Sequence, residues 1–224
     1  AHFNGQYSPA GAVLRYLSAL QAGDSAQAWS LIELAPPAIH PDATLLSQKA
    51  LAASLDASRP AYPGLTIENP AYSGSSATVN VSYARGSATR QLQLNLVQTS
   101  ERRLFLYPVW KVVITPALLS VTLPAGSTGD SVDGQSVTLA AGKVQTIAVF
   151  PLVHRLQILG GGLIQGLAQS VDATNTGTST VTVPTSAKLS ASGADATRVA
   201  VRAALTACAA KLDLQPQDCP QSST

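Results

Sequence analysis

The side chains that could carry nucleophilic or acid–base chemistry are few and scattered in this sequence. Its only histidines are His2, His40 and His154, and a hydrolytic triad needs a histidine placed beside a serine and a carboxylate. The sequence contains no Gly-x-Ser-x-Gly turn, and its histidines do not have the spacing typical of metal ligands. The pattern therefore predicts neither serine catalysis nor a histidine-based metal site.

The remaining candidates for chemistry are acidic residues and one glycine run. Asp130 and Asp133 are predicted to stabilise a turn rather than to hold calcium. The run at 160–162 is followed neither by Gly-Lys-Ser/Thr nor by a predicted helix, so we interpret it as a turn and not as a phosphate loop. No pair of acids is favoured for glycosidase chemistry. We predict a protein that is not an enzyme and that holds no cofactor and no metal.

Two cysteines, Cys208 and Cys219, lie close together near the end of the chain. Their spacing suits a local disulfide, which would stabilise the fold by about 3 kcal/mol if only chain entropy acts. Two free thiols are the alternative, whereas a metal site would need further ligands that are not nearby. A disulfide, together with the low content of Lys and Glu, indicates an exported protein in an oxidising compartment.

Composition limits the classes of protein to which this chain can belong. Of its 224 residues, 46% are hydrophobic and 12% are charged, and the formal net charge is +2. The basic residues are scattered, so no nucleic-acid surface is predicted. The sequence contains no run of about twenty apolar residues, so no membrane span is predicted. Because the chain starts at Ala1 and contains no Met, we expect a piece of a longer protein, anchored in the membrane by a segment outside this chain.

The longest regular pattern covers residues 77–114 and predicts three antiparallel strands. Apolar residues occupy every second position in Val79–Tyr83 and in Leu92–Leu96, so one face of this sheet is predicted to be buried. Turns are predicted at 84–88 and at 99–103. A slip of one residue in the strand register would instead turn the polar face inward.

Helical patterns precede this sheet. Ser8, placed before a proline, predicts the start of a first helix. Gly23 predicts its end, and a second helix is predicted over Ser25–Leu34. A third helix is predicted over Asp42–Ala57. Helices followed by an antiparallel sheet define an α+β fold.

After residue 115 the pattern changes to short strands separated by turns. An Asp-Gly signal at Asp133 predicts a tight hairpin, and the series of short strands predicts a small β-sandwich. An Ala-rich helix is predicted over Ala194–Leu212. The predicted domains are an α+β domain at 1–115, a small β-sandwich module at 116–193, and a C-terminal helix with a disulfide-closed tail at 194–224.

Several segments of the sequence resemble parts of known bacterial proteins. The segment SPAGAVLRYLSALQAGDSAQAWSLI, followed by GLTIENPAYSGSSATVNVSY and closed by VWKVV, resembles the cone-shaped domains of the nuclear transport factor 2-like superfamily, especially their bacterial extracytoplasmic members. This resemblance covers about the first half of the chain. The later β segment resembles small β modules that follow such domains in envelope proteins of Gram-positive bacteria. The segment CAAKLDLQPQDCP is similar to one in membrane-anchored actinobacterial proteins.

The resemblance implies a cavity between the helices and the concave face of the sheet. In this sequence the residues predicted to line that cavity are Tyr16, Val81, Tyr83, Leu94 and Trp110. Because these side chains are mainly apolar, the cavity would be either filled or open to an apolar ligand. The superfamily fold hosts enzymes, ligand binders and inert spacers, so the resemblance alone selects no function.

We therefore expect a non-catalytic extracytoplasmic domain of a membrane-anchored cell-envelope protein, at the surface of a Gram-positive bacterium. It would recognise an envelope protein or a cell-wall component, or act as a spacer. The alternative is binding of a small molecule or lipid in the cone cavity, which requires a void of several hundred cubic ångströms. An enzyme of the superfamily is a third hypothesis, and it requires ionisable residues in that cavity.

Overall fold

A computed structural model describes residues 7–36, 42–103, 107–122, 130–138, 140, 143–174, 180–183 and 188–211. These residues form an α+β protein with four helices and thirteen strands in three sheets. The first half comprises α1 (Pro9–Ala22), α2 (Ser25–Ser30), β1 (Ile32–Leu34), α3 (Gln48–Ala57), β2 (Thr66–Ile67), β3 (Ala71–Ser73), β4 (Ser76–Arg85), β5 (Ala88–Arg103) and β6 (Tyr107–Ile114). The second half comprises β7 (Ala117–Thr122), β8 (Asp130–Val132), β9 (Gln135–Val137), β10 (Val144–Val149), β11 (Val153–Ile158), β12 (Leu167–Asp172), β13 (Thr180–Val183) and α4 (Ala191–Ala209).

Local capping signals fix both ends of α1 and the start of α2. The hydroxyl of Ser8 accepts a hydrogen bond from the N–H of Gly11 at 3.1 Å, as expected of an N-cap serine. Gly23 ends α1 in the left-handed region with φ 76°. The carboxylate of Asp24 then accepts the N–H of Gln27 at 2.9 Å and caps α2. The predicted boundary between these two helices is confirmed.

The predicted second helix is too long at its C-terminal end. α2 stops at Ser30, and the residues that follow form β1, which pairs in parallel with β6. Ile32 is buried against the sheet, whereas Glu33 points to solvent. Pairing with a strand distant in sequence outweighs the weak helical preference of so short a segment.

The predicted third helix starts too early. Asp42 lies instead in an isolated parallel bridge with Ile147 of β10, and its carboxylate accepts the N–H of Thr44 in a local turn at 2.9 Å. α3 begins after Ser47, whose hydroxyl caps it by accepting the N–H of Ala50. The side chain of Asp42 therefore stabilises a turn and not a helix start.

The large sheet has the strand order β1-β6-β5-β4-β2, and β3 also pairs with β4. Val79 pairs with Leu94, and Asn80 pairs with Gln93 on the other face. Val79 and Leu94 are buried, while Asn80 and Gln93 are exposed. The register thus buries the apolar face that the sequence pattern predicts.

The turn predicted at 99–103 is wrong, because these residues belong to β5. The strand shifts register between Gln98 and Arg102 and then continues, with Arg102 opposite Pro108 in β6. A polar composition identifies a turn poorly when the same residues have a partner strand, since cross-strand pairing decides strand formation.

The second half contains two smaller sheets. In the three-stranded sheet β7 pairs antiparallel with β10 and parallel with β13, and the four-stranded sheet has the antiparallel order β12-β11-β8-β9. Strands β8 and β9 are joined by Asp133 and Gly134, whose φ angles are 52° and 75°. Two positive φ values are what a two-residue hairpin of type I′ requires, so the predicted Asp-Gly turn is confirmed.

Two hydrophobic cores lie in the two halves, and each includes residues from the other half. The first core, between α1, α3 and the large sheet, also contains Phe150 and Leu152. The second core, formed by the two smaller sheets, also contains Leu45 and Ala50. The rings of Phe150 and Trp29 meet edge to face at 6.2 Å. The two halves are therefore interlocked rather than joined only through residues 115–116.

The predicted C-terminal helix is present as α4, which starts three residues earlier than predicted. Its N-terminal end is fixed by Gly193, where a Cβ atom would lie 2.2 Å from the carbonyl oxygen of Leu163. Most of its other residues are exposed to solvent. In the described part of the chain no helix is long and apolar enough to span a bilayer.

Candidate functional site

A cavity of about 530 Å³ lies between α1, the segment that follows α3, and strands β4 and β5. Its far wall comes from the second half of the chain, through Pro151, Leu152 and Val153. Leu17 and Leu20 of α1 contribute a buried apolar floor. This volume is within the range of small-molecule sites in proteins.

Three tyrosines line this cavity beside the polar side chains of Gln93 and Asn95: Tyr16, Tyr62 and Tyr83. Tyr16 is only 5% exposed, and the rings of Tyr62 and Tyr83 meet edge to face at 5.0 Å. Burial raises the pKa of Tyr16 and of Tyr62, and each has a further tyrosine nearby that acts in the same direction. Both phenols are therefore neutral hydrogen-bond donors at physiological pH.

The hydroxyls of Tyr16 and Tyr62 form no hydrogen bond with another described residue. Buried tyrosine hydroxyls usually have a partner, because an unsatisfied polar group in an apolar environment costs free energy. Here the hydroxyls adjoin the cavity. A molecule bound in the cavity could supply the missing partners.

Arg59 and Arg85 are the charged residues among the described residues that line the cavity. Arg85 donates a hydrogen bond to Asp172 of β12 at 2.8 Å. Burial alone would raise the pKa of Asp172, but hydrogen bonds from Thr174 and the charge of Arg85 bring it below its usual value. The cavity therefore has a positive rim above an apolar floor.

The residues predicted to line a cavity do not all lie together. Tyr16, Tyr83 and Leu94 line the cavity described above. Trp110 lines a separate hollow near Tyr7. Val81 is 1% exposed and lies in the first core, away from both.

The prediction from sequence missed Arg59, Tyr62 and Arg85. Arg59 and Tyr62 belong to the Pro-rich segment after α3, which was not predicted to line a cavity. A clustering of Arg and Tyr with prolines was the available signal. Arg85 stands at the end of β4, where sequence pattern alone does not place it beside the helices.

A second polar feature lies where α3 contacts the β8–β9 hairpin. The hydroxyl of Ser54 lies 2.7 Å from Oδ2 of Asp133, although these residues are 79 positions apart in sequence. The N–H of Arg155 donates to Oδ1 of Asp133 at 2.7 Å, and Nδ1 of His154 lies 2.6 Å from Oδ2. Ser54, Asp133 and His154 are 4%, 9% and 2% exposed. We name these three residues the Ser54–Asp133–His154 cluster.

Both ring nitrogens of His154 lie against acceptors. Nε2 is 2.7 Å from the carbonyl oxygen of Phe150, which can only accept, so Nε2 carries a hydrogen. Burial alone would raise the pKa of Asp133, but hydrogen bonds from His154, Arg155 and Ser54, with the charge of His154, bring that pKa below its usual value. Because an ionised carboxylate also only accepts, Nδ1 donates too. The ring is therefore an imidazolium paired with a carboxylate.

The order of hydrogen bonds in this cluster differs from that of a hydrolytic triad. In a triad the histidine lies between serine and carboxylate and takes the proton of the serine. Here the carboxylate of Asp133 lies between Ser54 and His154. A doubly protonated His154 cannot accept a further proton, and the adjoining space does not admit a water-sized molecule. The cluster connects the two halves of the protein and does not activate Ser54.

Other residues considered for chemistry are not brought together. Within the described residues no group of three or more His, Cys, Asp and Glu side chains is placed to hold a metal ion. The carboxyl of Asp130 is buried at the start of β8, where burial raises its pKa. Cys208 lies in α4, whereas Cys219, like His2 and His40, lies outside the described residues. The disulfide therefore stays a prediction.

The chain was also compared with known proteins. Comparisons with protein-family models, with curated proteins and with solved structures find no match.

Proposed function

We propose that this protein is a non-catalytic binding domain whose site is the cavity beneath α1. The observation that carries the proposal is a void of about 530 Å³ next to tyrosine hydroxyls that lack a partner among the described residues and stay open to solvent. A void inside a protein costs dispersion energy, and a hydroxyl that faces it can bond a ligand in place of water. A bound molecule with a mainly apolar body would recover that energy and bond the hydroxyls.

The resemblance noted in the sequence supports a finer description of the fold. In this proposal residues 1–115 form a cone-shaped domain like those of the nuclear transport factor 2-like superfamily, residues 116–193 form a small β-sandwich, and residues 194–224 form a helix with a disulfide-closed tail. The helix-then-sheet order and the position of the cavity between them support the first assignment.

A neutral fluorescent dye whose emission rises in apolar surroundings, such as Nile red, tests the site. Leu92 lines the cavity, and Leu92→Trp would fill part of it, so we expect the dye to bind at least about tenfold more weakly, a loss of about 1.4 kcal/mol. Leu163→Trp places the same side chain at a position that is 56% exposed and outside the lining, and it should bind the dye normally. Equal affinity in both variants would place the dye elsewhere and contradict the proposal.

A second candidate function is recognition of an envelope protein or a cell-wall component, or separation of other domains. The observation that favours it is α4, which buries Gly193 and leaves Val199, Val201 and Leu205 at least 37% exposed. Comparing the whole chain with a chain truncated before α4 in binding to purified envelope fractions tests this candidate. Identical binding by both chains would show that α4 does not take part in this recognition.

The proposed location is outside the cytoplasm of a Gram-positive bacterium, in a membrane-anchored protein. The predicted bond between Cys208 and Cys219 supports this, because disulfides persist in oxidising compartments. Alkylation of the protein from cells, before and after reduction, measures the state of both thiols. Alkylation without prior reduction would contradict the location.

A further inference from the structure

The charges that line the cavity have one sign. Arg59 and Arg85 line it, and no carboxylate in the described part of the chain does. The carboxylates nearest to the two arginines, Asp56 and Asp172, lie outside the lining. An anionic group on a ligand would therefore be attracted to the two guanidinium groups and would meet no carboxylate within the described lining itself.

The two arginines differ in how far a carboxylate already compensates their charge. Arg85 donates to Asp172 at 2.8 Å, which is a close charge-assisted hydrogen bond. Nη2 of Arg59 lies 4.0 Å from Oδ1 of Asp56, and the two side chains are 59% and 77% exposed. An exposed ion pair at that distance contributes little to the stability of the protein. Arg59 is thus the cation with hydrogen-bond donors available to a ligand.

Arg59 is held in place by the end of α1. A Cβ atom at Gly23 would lie 2.9 Å from Nε and 3.0 Å from Cζ of Arg59, so the guanidinium lies directly against the backbone there. Pro60 follows Arg59 and restricts its backbone. A guanidinium positioned in advance loses less conformational entropy when it binds an anion.

The interior of the cavity favours an apolar body that carries few polar groups. Tyr83 and Leu92 line it and are partly exposed. The phenol of Tyr16 stays neutral and can donate a hydrogen bond. A fully polar ligand would bury polar groups against the apolar side chains of the lining, which Gln93 and Asn95 offset only in part.

We propose that the cavity binds an amphipathic monocarboxylate, with its carboxylate at Arg59 and its apolar body against Tyr83 and Leu92. This inference rests on the proposed function and adds the chemical class of the ligand. Fatty acids and arylalkanoic acids belong to that class. Single-chain phosphates share the anionic amphipathic character, and the experiment below separates the two.

Displacement of Nile red by four matched compounds tests the inference. Dodecanoate, dodecanol, dodecylamine and dodecyl phosphate share one chain and differ in the head group. We expect dodecanoate to bind about tenfold or more tightly than dodecanol, which corresponds to one charge-assisted hydrogen bond, and dodecylamine to bind most weakly. Each compound is used below the concentration at which it forms micelles.

Arg59→Gln assigns the effect to one side chain. In this variant dodecanoate should lose about tenfold in affinity while dodecanol keeps its own, because only the anion uses the guanidinium. Arg198→Gln removes one positive charge from α4, away from the lining, and should leave both affinities unchanged. Arg59→Lys, which keeps the charge, should retain part of the preference for dodecanoate if Arg59→Gln folds poorly.

The outcomes separate the inference from the proposed function. Equal affinity for dodecanoate and dodecanol would overturn the anionic class and leave the cavity as a binding site. Tighter binding of dodecyl phosphate than of dodecanoate would overturn the carboxylate assignment. An equal loss in Arg198→Gln would show a general charge effect and overturn the role of Arg59. Failure of every compound and of the dye to bind would overturn the proposed function itself.

Discussion

Two regions of this protein, the Ser54–Asp133–His154 cluster and the lining of the cavity, differ in how the protein satisfies their polar groups. In the Ser54–Asp133–His154 cluster, the hydroxyl, both carboxylate oxygens and both ring nitrogens have partners within 2.7 Å, and no space remains. Beside the cavity, the hydroxyls of Tyr16 and Tyr62 adjoin about 530 Å³ of space. The first region is complete without a ligand, and the second is not.

This difference distinguishes residues that stabilise the fold from residues that could bind a ligand. The sequence motifs alone do not make that distinction. A saturated buried network stabilises one arrangement of the backbone and offers nothing to a ligand. Hydroxyl donors that have no protein partner and lie beside a void can instead bond a ligand. Substitutions in the first region should therefore lower stability, whereas those in the second should change affinity.

The largest effect is expected from Asp133→Ala. It removes the carboxylate and leaves the buried imidazolium of His154 and the Ser54 hydroxyl without their partner, so we expect a loss of about 3–5 kcal/mol in the free energy of unfolding. Asp172→Ala removes an exposed partner of Arg85 and should cost about 1 kcal/mol or less. Urea unfolding of both variants measures the comparison, and equal losses would contradict it.

Acid should remove the contribution of the Ser54–Asp133–His154 cluster to the free energy of unfolding. The pKa of Asp133 in the folded protein is lower than its ordinary value of 3.8, so the contribution is complete above that pH and is lost as the pH falls through the folded pKa. Asp133→Asn/His154→Gln lacks the carboxylate and the imidazole of the cluster. The difference in unfolding free energy between the natural protein and this double variant should therefore narrow below pH 3.8.

Urea unfolding at a series of pH values measures this difference. The exposed carboxylates Asp42 and Asp172, whose pKa values are also lowered by their hydrogen bonds, are present in both proteins and cancel. A difference that stays constant or widens below pH 3.8 would contradict an ionised Asp133 in the folded state.

Removal of a single hydroxyl should have different consequences in the two regions. Ser54→Ala deletes a hydrogen bond to a buried carboxylate and should cost about 2 kcal/mol. Tyr16→Phe deletes a hydroxyl that has no partner among the described residues and should change stability by less than about 0.5 kcal/mol. Thermal unfolding of the two variants measures the contrast. A greater loss in Tyr16→Phe would mean that the cavity is not a binding site with free donors.

A smaller loss of stability than in Ser54→Ala is expected at Gly23. Its φ of 76° makes Gly23→Ala unfavourable by about 1 kcal/mol, and the new methyl group would also displace Arg59. Gly74 has φ 59° and open space around it, so Gly74→Ala carries the same backbone cost without that contact. Both variants should lose similar stability, but only Gly23→Ala should bind dodecanoate more weakly. Equal affinities in the displacement assay would contradict the positioning of Arg59 by Gly23.

Signals confined to a few neighbouring residues predicted their structure from sequence. Ser8 acts through its hydroxyl, and Gly23 and the Asp-Gly turn at Asp133 act through their own backbone. All three gave correct boundaries. Alternating apolar residues likewise predicted the buried face of β4 and β5. The errors at 99–103 and at Ile32–Leu34 have one cause, because hydrogen bonds to another strand, β6, decide both. This strand follows 99–103 closely in sequence but is distant from Ile32–Leu34.

The candidate site was harder to predict for the same reason. Tyr16 and Tyr83 were expected beside a cavity, but Arg59 reaches it only because the end of α3 meets the end of α1. Ser54, Asp133 and His154 come from separate elements, and no spacing rule connects them. Sequence periodicity gives the direction of a side chain within its own element and not its distant neighbours.

The exchange of residues between the two cores has a consequence for synthesis of the protein. Phe150 and Leu152 complete the first core, so a chain still attached to the ribosome at β6 exposes the apolar surface that they cover. That surface stays open until the segment after β10 has emerged. Leu45 and Ala50 are synthesised early, but they belong to the second core. They can therefore pack only after the two smaller sheets have been synthesised. The two halves therefore mature as one cooperative unit, and a chaperone that shields the first half during translation would act on this interval.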